Sequence, residues 1–222
     1  MSDSEAGSSS SLSDAWKAAW SSAAFRVQVA VTVPLLIGVL SLFSLFLEWV
    51  ELRRGSILRD PIIASTTPLD FTWPIFILIY AGLIIGFVTL SKRPRMLIIA
   101  LQAYILMVCI RLIAMYVTPF DPPAGIIPLA DPFVQFFGSG AVPTRDLFFS
   151  GHTATMLLLC FTADRGRMRI LFAVCAVVVG MLIVWQHVHY AVDVLMAPFV
   201  AYTSYRIVSL AQRSFVSAGE NR

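Results

Sequence analysis

The sequence predicts an all-α, polytopic membrane protein built as a bundle of six transmembrane helices. Hydrophobic residues make up 58% of the 222 residues and charged residues only 13%, about half the ~25% that is typical of soluble proteins. The hydrophobic residues also fall into six runs of roughly 17–24 residues, close to the ~20 needed to cross ~30 Å of hydrocarbon. A chain of this length allows one domain with tails.

The first 25 residues are predicted to form a disordered or interfacial N-terminal segment. Residues 1–14 are rich in serine, which is typical of disorder. Residues 15–26 place three aromatic side chains around Lys17 and Arg26: Trp16, Trp20 and Phe25. That pattern fits a short helix on the membrane surface, and equally an ordinary lead-in to the first crossing.

Residues 26–210 are predicted to form the six-helix transmembrane domain that carries the candidate catalytic residues, and residues 211–222 a polar tail. Pro34 and Gly38 lie within the first crossing, where a membrane helix tolerates them better than a soluble helix does. The six apolar runs cover residues 27–50, 71–90, 96–117, 147–163, 170–186 and 190–210.

The distribution of basic residues predicts the orientation in the membrane. Six crossings place both termini on one side, together with the turns at 91–95 and 164–169. That side collects eleven Lys and Arg residues against four on the other, with Arg111 inside a helix. We therefore expect an integral membrane protein with cytoplasmic termini and an active site on the exoplasmic (periplasmic or lumenal) side. The net charge of +3 is too small and dispersed to indicate a nucleic-acid partner.

Residues 146–155, Asp-Leu-Phe-Phe-Ser-Gly-His-Thr-Ala-Thr, form the first candidate motif. Ser150 is a predicted helix N-cap, and Gly151 lets a ligand approach the backbone. His152 then lies in the first helical turn, beside free N–H groups and the positive end of the helix dipole. This arrangement favours a phosphate and gives it a titratable partner. The same residues also fit a capped membrane helix with a histidine at the interface.

Residues 187–194, His-Val-His-Tyr-Ala-Val-Asp-Val, form the second candidate motif. His189 and Asp193 are four residues apart, so on a helix they share one face and can hydrogen-bond. A carboxylate in that position orients the imidazole and stabilises the imidazolium. His187 would lie about 200° round the same helix and is interpreted as a spectator.

The spacing of the motifs predicts that they meet. All three histidines of the chain lie in these two stretches, which favours a single site. Two helices of ~17 residues with a short turn account for the distance between His152 and His189 and return the chain to its starting depth.

The paired motifs resemble the sphingomyelin synthase family, which belongs to the type-2 phosphatidate phosphatase superfamily. The resemblance rests on Ser-Gly-His-Thr at 150–153, His-Tyr-x-x-Asp-Val at 189–194 and Asp146 four residues before Ser150, and it covers the chain from Arg111 onward. It implies a nucleophile, its carboxylate partner and an acid–base residue at the leaving group, namely His189, Asp193 and His152.

Two positions depart from the related families. Thr144-Arg145 stands where the sphingomyelin synthases carry Cys-Gly. Ile183 stands where the phosphatases of the superfamily carry an arginine, six residues before the second histidine. The second departure favours the synthase branch.

The predicted substrate-binding residues are Arg111, Ser150, Gly151, Asp146 and Arg145. An intramembrane charge is costly unless it is paired or lines a wet cavity, so Arg111 is predicted to face the site and hold a phosphate; the alternative is an arginine that snorkels at a helix end. Arg145 fits a phosphate or head-group contact and equally a plain interfacial arginine. Asp146 matches the family aspartate, and its alternative is a carboxylate at a helix start.

These residues predict a membrane enzyme that transfers or hydrolyses a phospholipid head-group phosphate through a histidine nucleophile. A lipid alcohol as acceptor gives a sphingomyelin-synthase-type phosphotransferase, and water gives a lipid phosphate phosphatase or a phospholipase C. Two histidines and a cation cover the chemical roles, so no metal and no other cofactor is predicted; an oligomer is possible. The alternatives from other classes are a non-catalytic lipid-binding membrane protein and a transporter or channel, although the latter would carry more intramembrane charges than Arg111 alone.

Overall fold

The computed structural model describes residues 12–131, 142–164 and 166–220, with side chains up to residue 214. Helices account for most of these residues. In chain order they are α1 (Leu12–Ser21), α2 (Ala23–Glu51), α3 (Pro61–Ser65), α4 (Thr72–Ser91), α5 (Pro94–Val117), α6 (Gly151–Thr162), α7 (Arg167–Trp185) and α8 (Ala191–Glu220).

Five helices are long and apolar enough to cross a membrane: α2, α4, α5, α7 and the Ala191–Ser214 part of α8. The chain is therefore a polytopic helical membrane protein, as predicted. The fourth predicted crossing is different, because α6 has only 12 residues, about 18 Å of helix. Residues 147–150 are not helical, since Ser150 caps α6 and the helix begins at Gly151. The six predicted crossings are thus five long helices and one short apolar helix.

The ends of the described chain are more helical than the sequence predicted. Residues 12–14, predicted to be disordered, form the first turn of α1; residues 1–11 lie outside the described residues. The polar tail predicted from residue 211 continues α8 as a helix up to Glu220. The lead-in at residues 15–26 is largely the helix α1, and Ser22 then caps α2 by accepting a hydrogen bond from the Phe25 N–H.

The short α6 lies at the centre of the bundle, packed against α4, α5, α7 and α8, while α2 packs on the outer face of α5. Small residues permit these close approaches, as is usual between membrane helices. At Gly180 of α7, an added Cβ would lie 2.7 Å from the Val194 side chain of α8. Ala154, Ala197 and Ala201 similarly form part of the α5–α6–α8 core.

A chain of polar side chains joins three helices in the apolar part of the bundle. The Gln28 amide of α2 donates to Gln212 of α8 at 2.7 Å, and Gln212 donates to Gln102 of α5 at 2.6 Å. Gln102 in turn donates to the Thr32 hydroxyl of α2 at 2.9 Å. Because lipid offers no hydrogen-bond partners, such groups must be satisfied within the protein. The chain therefore fixes how α2, α5 and α8 pack together.

The connections between helices separate into two ends of the bundle. At one end the long connections pair with each other. The Ser56 N–H donates to the Pro119 carbonyl and the Asp121 N–H donates to the Ser56 carbonyl, while the Ile127 N–H donates to the Gln186 carbonyl. At the other end Arg93 forms an ion pair with Asp164 across two short turns. The predicted grouping of the turns at 91–95 and 164–169 is found, and the side of the membrane that each end faces stays a prediction.

Cysteines introduced at the two ends of α4 test the orientation. Thr67 precedes α4 and Lys92 follows it, and both are exposed. We expect a membrane-impermeant maleimide to label Thr67→Cys from the exoplasmic side and Lys92→Cys only from the cytoplasmic side, because the excess of basic residues is cytoplasmic. The unmodified protein, with Cys109, Cys160 and Cys175 inside helices, is the control for background labelling. Labelling of Lys92→Cys from the exoplasmic side would contradict the predicted orientation.

Candidate active site

The first motif forms the start of α6. Ser150 is buried and acts as the N-cap, with its hydroxyl oxygen accepting from the Thr153 N–H at 3.4 Å. His152 consequently lies in the first turn, where backbone N–H groups have no acceptor within the helix. Its ring contacts the edge of Phe76 of α4. The local geometry is the one predicted from the sequence.

The second motif differs from its prediction, because it is not a continuous helix. The helix α7 ends at Trp185 and α8 begins at Ala191. The reason is the Gln186 side chain, which leaves the helix to bind the connecting segments. It accepts from the Phe71 N–H at 2.8 Å and donates to the Ile127 carbonyl at 3.1 Å.

His187 lies in this break with a positive φ of 60°. Its Nδ1 is 2.8 Å from the Ala124 carbonyl and its Nε2 is 3.0 Å from the Thr66 hydroxyl. Because this segment is not helical, the predicted position of His187, about 200° from His189 on one helix, is wrong. Both ring nitrogens are nevertheless bonded to connecting segments, so His187 holds those segments together.

His189 and Asp193 form a buried pair although only Asp193 is within α8. The Nδ1 atom of His189 is 3.0 Å from Oδ2 of Asp193, and both side chains are almost fully buried. A carboxylate only accepts hydrogen bonds, so Nδ1 carries the proton and Nε2 of the neutral ring keeps its lone pair. Within the described part of the chain, no hydrogen bond occupies Nε2.

A backbone contact joins the two motifs. The Ser150 N–H donates to the Asp193 carbonyl at 3.0 Å. Asp193 therefore binds His189 through its side chain and the α6 N-cap through its main chain. His152 and His189 are close enough to interact electrostatically with each other and with Asp146.

Arg111 faces this site from α5 and is only 5% exposed. Its Nη2 is 2.7 Å from Oδ1 of Asp146, and its Nη1 donates to the Phe149 carbonyl. The ion pair and the carbonyl offset the cost of a guanidinium at membrane depth, ~3 kcal/mol on insertion scales. A Cβ at Gly151 would lie 3.0 Å from Nη1, so the lack of a side chain at this position leaves room for the Arg111 guanidinium. The prediction was that Gly151 leaves room for a ligand.

The Arg145 side chain is bound to the connecting segments rather than to the histidines. It donates through Nε to Asp121 at 2.8 Å and through Nη1 to the Glu51 carbonyl at 2.7 Å. The pKa of the Asp121 carboxyl is held below its usual range, chiefly by the side-chain hydrogen bond from Arg145. The alternative in which Arg145 binds a head group receives no support from this geometry.

Two carboxylates that the sequence analysis missed hold the motifs in place. Glu51, at the end of α2, accepts from the N–H groups of Thr144 and Arg145 at 2.7 and 2.6 Å. Asp60 accepts from the Ala191 N–H at 2.7 Å and so caps α8, while its other oxygen caps α3. The Asp-Pro pair at 60–61 is a helix-start signal, but nothing in the sequence pairs it with α8.

A groove of about 490 Å³ lies between α2, α4, α5 and α6. One end is polar and includes Arg111, Asp146, His152 and Asp131. The remainder is lined mainly by apolar side chains, together with Tyr80, Tyr104 and Thr155. His189 is not part of the lining and is only 2% exposed.

The fold and the site define a class: a polytopic helical membrane protein with a buried histidine–aspartate pair beside a cationic, helix-capped pocket. Residues 145–210 match the family model described as PAP2 superfamily C-terminal. The match includes both histidine motifs and supports the type-2 phosphatidate phosphatase superfamily, and with it an integral membrane enzyme of the phosphatase and phosphotransferase kind that acts on lipid phosphates. No curated protein matches the chain.

We call the two hydrogen bonds that the Glu51 carboxylate accepts from the Thr144 and Arg145 N–H groups the Glu51 clamp. Its loss is expected to lower stability and turnover, although Glu51 lies at a distance from the histidines. Glu51→Ala removes the acceptor for the Thr144 and Arg145 N–H groups, which we expect to cost about 1–3 kcal/mol of stability. It also loosens the segment that carries Asp146, and a misplacement of ~1 Å lowers turnover by up to ~100-fold. Thermal unfolding in detergent and lipid phosphate turnover measure the two effects.

Glu48→Ala is the matched control, because Glu48 is exposed and lies one turn earlier on the same helix. Glu51→Gln keeps one acceptor oxygen and should fall between the two alanine variants. An equal loss of turnover in Glu48→Ala and Glu51→Ala would show that the clamp has no positioning role.

Proposed function

We propose that the protein is a membrane enzyme that transfers a phosphate-linked lipid head group through a phosphohistidine intermediate. The observation that carries this proposal is the buried His189–Asp193 pair, whose main chain is hydrogen-bonded to the N-cap of the helix bearing His152. This arrangement supplies an oriented nucleophile and a second histidine beside the same phosphate position. The family match over residues 145–210 supports the same reaction class.

In the first step, Nε2 of His189 attacks the phosphorus atom. An N–P bond forms, the P–O bond to the lipid breaks, and His152 donates a proton to the departing oxygen. Asp193 stabilises the positive charge that develops on the His189 ring. In the second step, His152 takes the proton of the acceptor hydroxyl, whose oxygen attacks phosphorus, and the N–P bond breaks.

Positive charge around the phosphate supports both steps. Arg111 stands at the polar end of the groove, held there by Asp146. The first turn of α6 adds backbone N–H groups and the positive end of the helix dipole. Fixed charges of this kind stabilise the additional negative charge of the transition state without reorganisation.

A lipid alcohol is the acceptor in the form of the proposal that we favour, a phosphotransferase of the sphingomyelin synthase type. Ile183 supports it, since this position holds an arginine in the phosphatases that the chain resembles. Here the Ile183 side chain is fully buried in the apolar core between α4 and α7. The cation that the phosphatases carry at this position is therefore missing. With water as acceptor, the same two steps give a lipid phosphate phosphatase or a phospholipase C.

Mass analysis of lipids tests the function and its acceptor together. Purified protein is incubated with phosphatidylcholine, phosphatidate and ceramide. If an alcohol is the acceptor, we expect a ceramide that carries the transferred head group. If water is the acceptor, we expect dephosphorylated lipid or diacylglycerol and no modified ceramide. His189→Ala should abolish every product because no nucleophile remains, while His187→Gln, the matched control, should keep most turnover. Products that persist in His189→Ala would exclude this nucleophile.

The role of His152 is tested by changing the leaving group. If His152 protonates the departing lipid oxygen, His152→Ala should slow lipid turnover by roughly 10²–10⁴-fold. Nitrophenolate leaves from a nitrophenyl phosphodiester or monoester without needing a proton, so the loss of turnover on these substrates should be much smaller. Steady-state kinetics on the lipid and on the nitrophenyl substrates measure both losses. Equal losses on the two substrates would instead mean that His152 holds the phosphate or the fold.

A further inference from the structure

The apolar part of the groove extends along α5 for a long distance from the polar end. On α5, residues facing the groove extend from Arg111 at the polar end to Leu97 at the other. Fourteen residues of helix separate them, about 21 Å. One leaflet of a ~30 Å hydrocarbon core is only about 15 Å deep, so the groove is long enough for a complete hydrocarbon chain.

A compact cluster closes the end that is remote from the histidines. Its members come from α1, α4, α5 and α6, and we call them the floor cluster: Trp16, Leu90, Leu97, Ala100, Leu101 and Leu159. Met96 packs against the same cluster, and all of these residues except Trp16 and Met96 line the groove. Trp16 packs behind them, so the groove ends against α1.

The helix α1 is fastened in this position by specific contacts. The Trp16 indole N–H donates to the Ser91 carbonyl at the end of α4, at 2.8 Å. Ala19 is buried with Phe25 and Ile98, which joins α1 to α2 and α5. The N-terminal helix is therefore part of the bundle and does more than rest on the membrane surface.

We propose that α1, through Trp16, sets the maximum length of the lipid chain that the enzyme accepts. The proposal rests on the proposed function, because it takes the groove as the site of the substrate's hydrocarbon chain. The occupant is one chain of a phosphate-bearing lipid. Its phosphate lies at Arg111 and His152, and its terminal methyl group meets the floor cluster.

The dimensions and the chemistry of the groove identify this occupant. An extended chain advances about 1.2 Å per bond, so a depth of about 21 Å matches roughly 17 bonds, or about 18 carbon atoms. At the polar end, the Arg111 guanidinium and the free N–H groups at the start of α6 are the groups that bind an anionic head group, beside the carboxylates of Asp146 and Asp131. Leu83 and Phe87 of α4 line the groove and are also exposed on the outer surface of the bundle, so a lipid reaches the groove sideways from the bilayer.

The test compares the binding of alkylphosphonates, which carry the phosphate-like group but are not hydrolysed. Dodecyl-, hexadecyl- and eicosylphosphonate displace a fluorescent alkylphosphonate from the full-length protein in amphipol. Each ratio of affinities is compared between a variant and the unmodified protein, so the partition of the ligands into amphipol cancels. Burial of one CH₂ group changes affinity about fourfold.

Trp16→Ala should raise the affinity for eicosylphosphonate relative to hexadecylphosphonate by about tenfold or more, because a few more CH₂ groups are buried. Ala100→Phe fills the lower groove and should lower the affinity for hexadecylphosphonate relative to dodecylphosphonate by a similar factor. Trp20→Ala is the matched control on α1, since Trp20 is exposed and contacts Phe25 rather than the floor cluster. It should leave both ratios unchanged.

Each result decides the proposal. Unchanged ratios in Trp16→Ala overturn it, even if Ala100→Phe responds, because α1 would then not limit the chain. If Trp16→Ala does not fold, Trp16→Phe, which keeps a ring but lacks the indole N–H, should give a smaller shift of the same sign; no shift overturns the proposal.

The same assay separates this inference from the reaction. Lipid turnover with unshifted ratios refutes only the length limit. Shifted ratios without turnover of any lipid refute only the reaction. A protein that binds none of the alkylphosphonates and turns over no lipid refutes both.

Discussion

Both histidine motifs depend on one buried residue, Asp193. Its carboxylate accepts hydrogen bonds from His189 Nδ1–H and from the Tyr190 N–H, while its backbone carbonyl accepts one from the Ser150 N–H. A buried carboxylate is stable only with such partners, so the interactions that stabilise Asp193 also fix the positions of His189 and of the α6 N-terminus. His189 and the start of α6 are thus oriented by the same residue.

Around this centre, polar side chains at the helix ends and in the connecting segments satisfy backbone groups that lie away from water. Glu51 holds the 144–145 backbone, Asp60 caps α8, and Tyr190 donates its hydroxyl proton to the Asp121 carbonyl. None of these residues touches the groove. Their effect is to hold short non-helical stretches at a fixed geometry, because unsatisfied backbone groups at membrane depth cost several kcal/mol each.

The shortness of α6 has a consequence for the site. A helix of 12 residues does not span the hydrocarbon, so its N-terminus lies inside the bundle. The helix α5 extends six residues beyond Arg111 to Val117, about 9 Å. The charged site is thereby recessed among the helix ends, and the apolar groove begins directly below it. A polar end and an apolar part thus form one continuous groove.

The sequence by itself determined the membrane class, the long helices and the Ser150 cap, because apolar runs and capping residues act locally. It also predicted the His189–Asp193 contact, although from a helix that the structure breaks at Gln186; the spacing of four residues suits both geometries. Tertiary structure alone decided the length of α6, the binding of Arg145 to Asp121 and the place of Trp16 at the end of the groove. Each of these depends on partners distant in the chain, whose approach is set by packing, and no local pattern of residues encodes it.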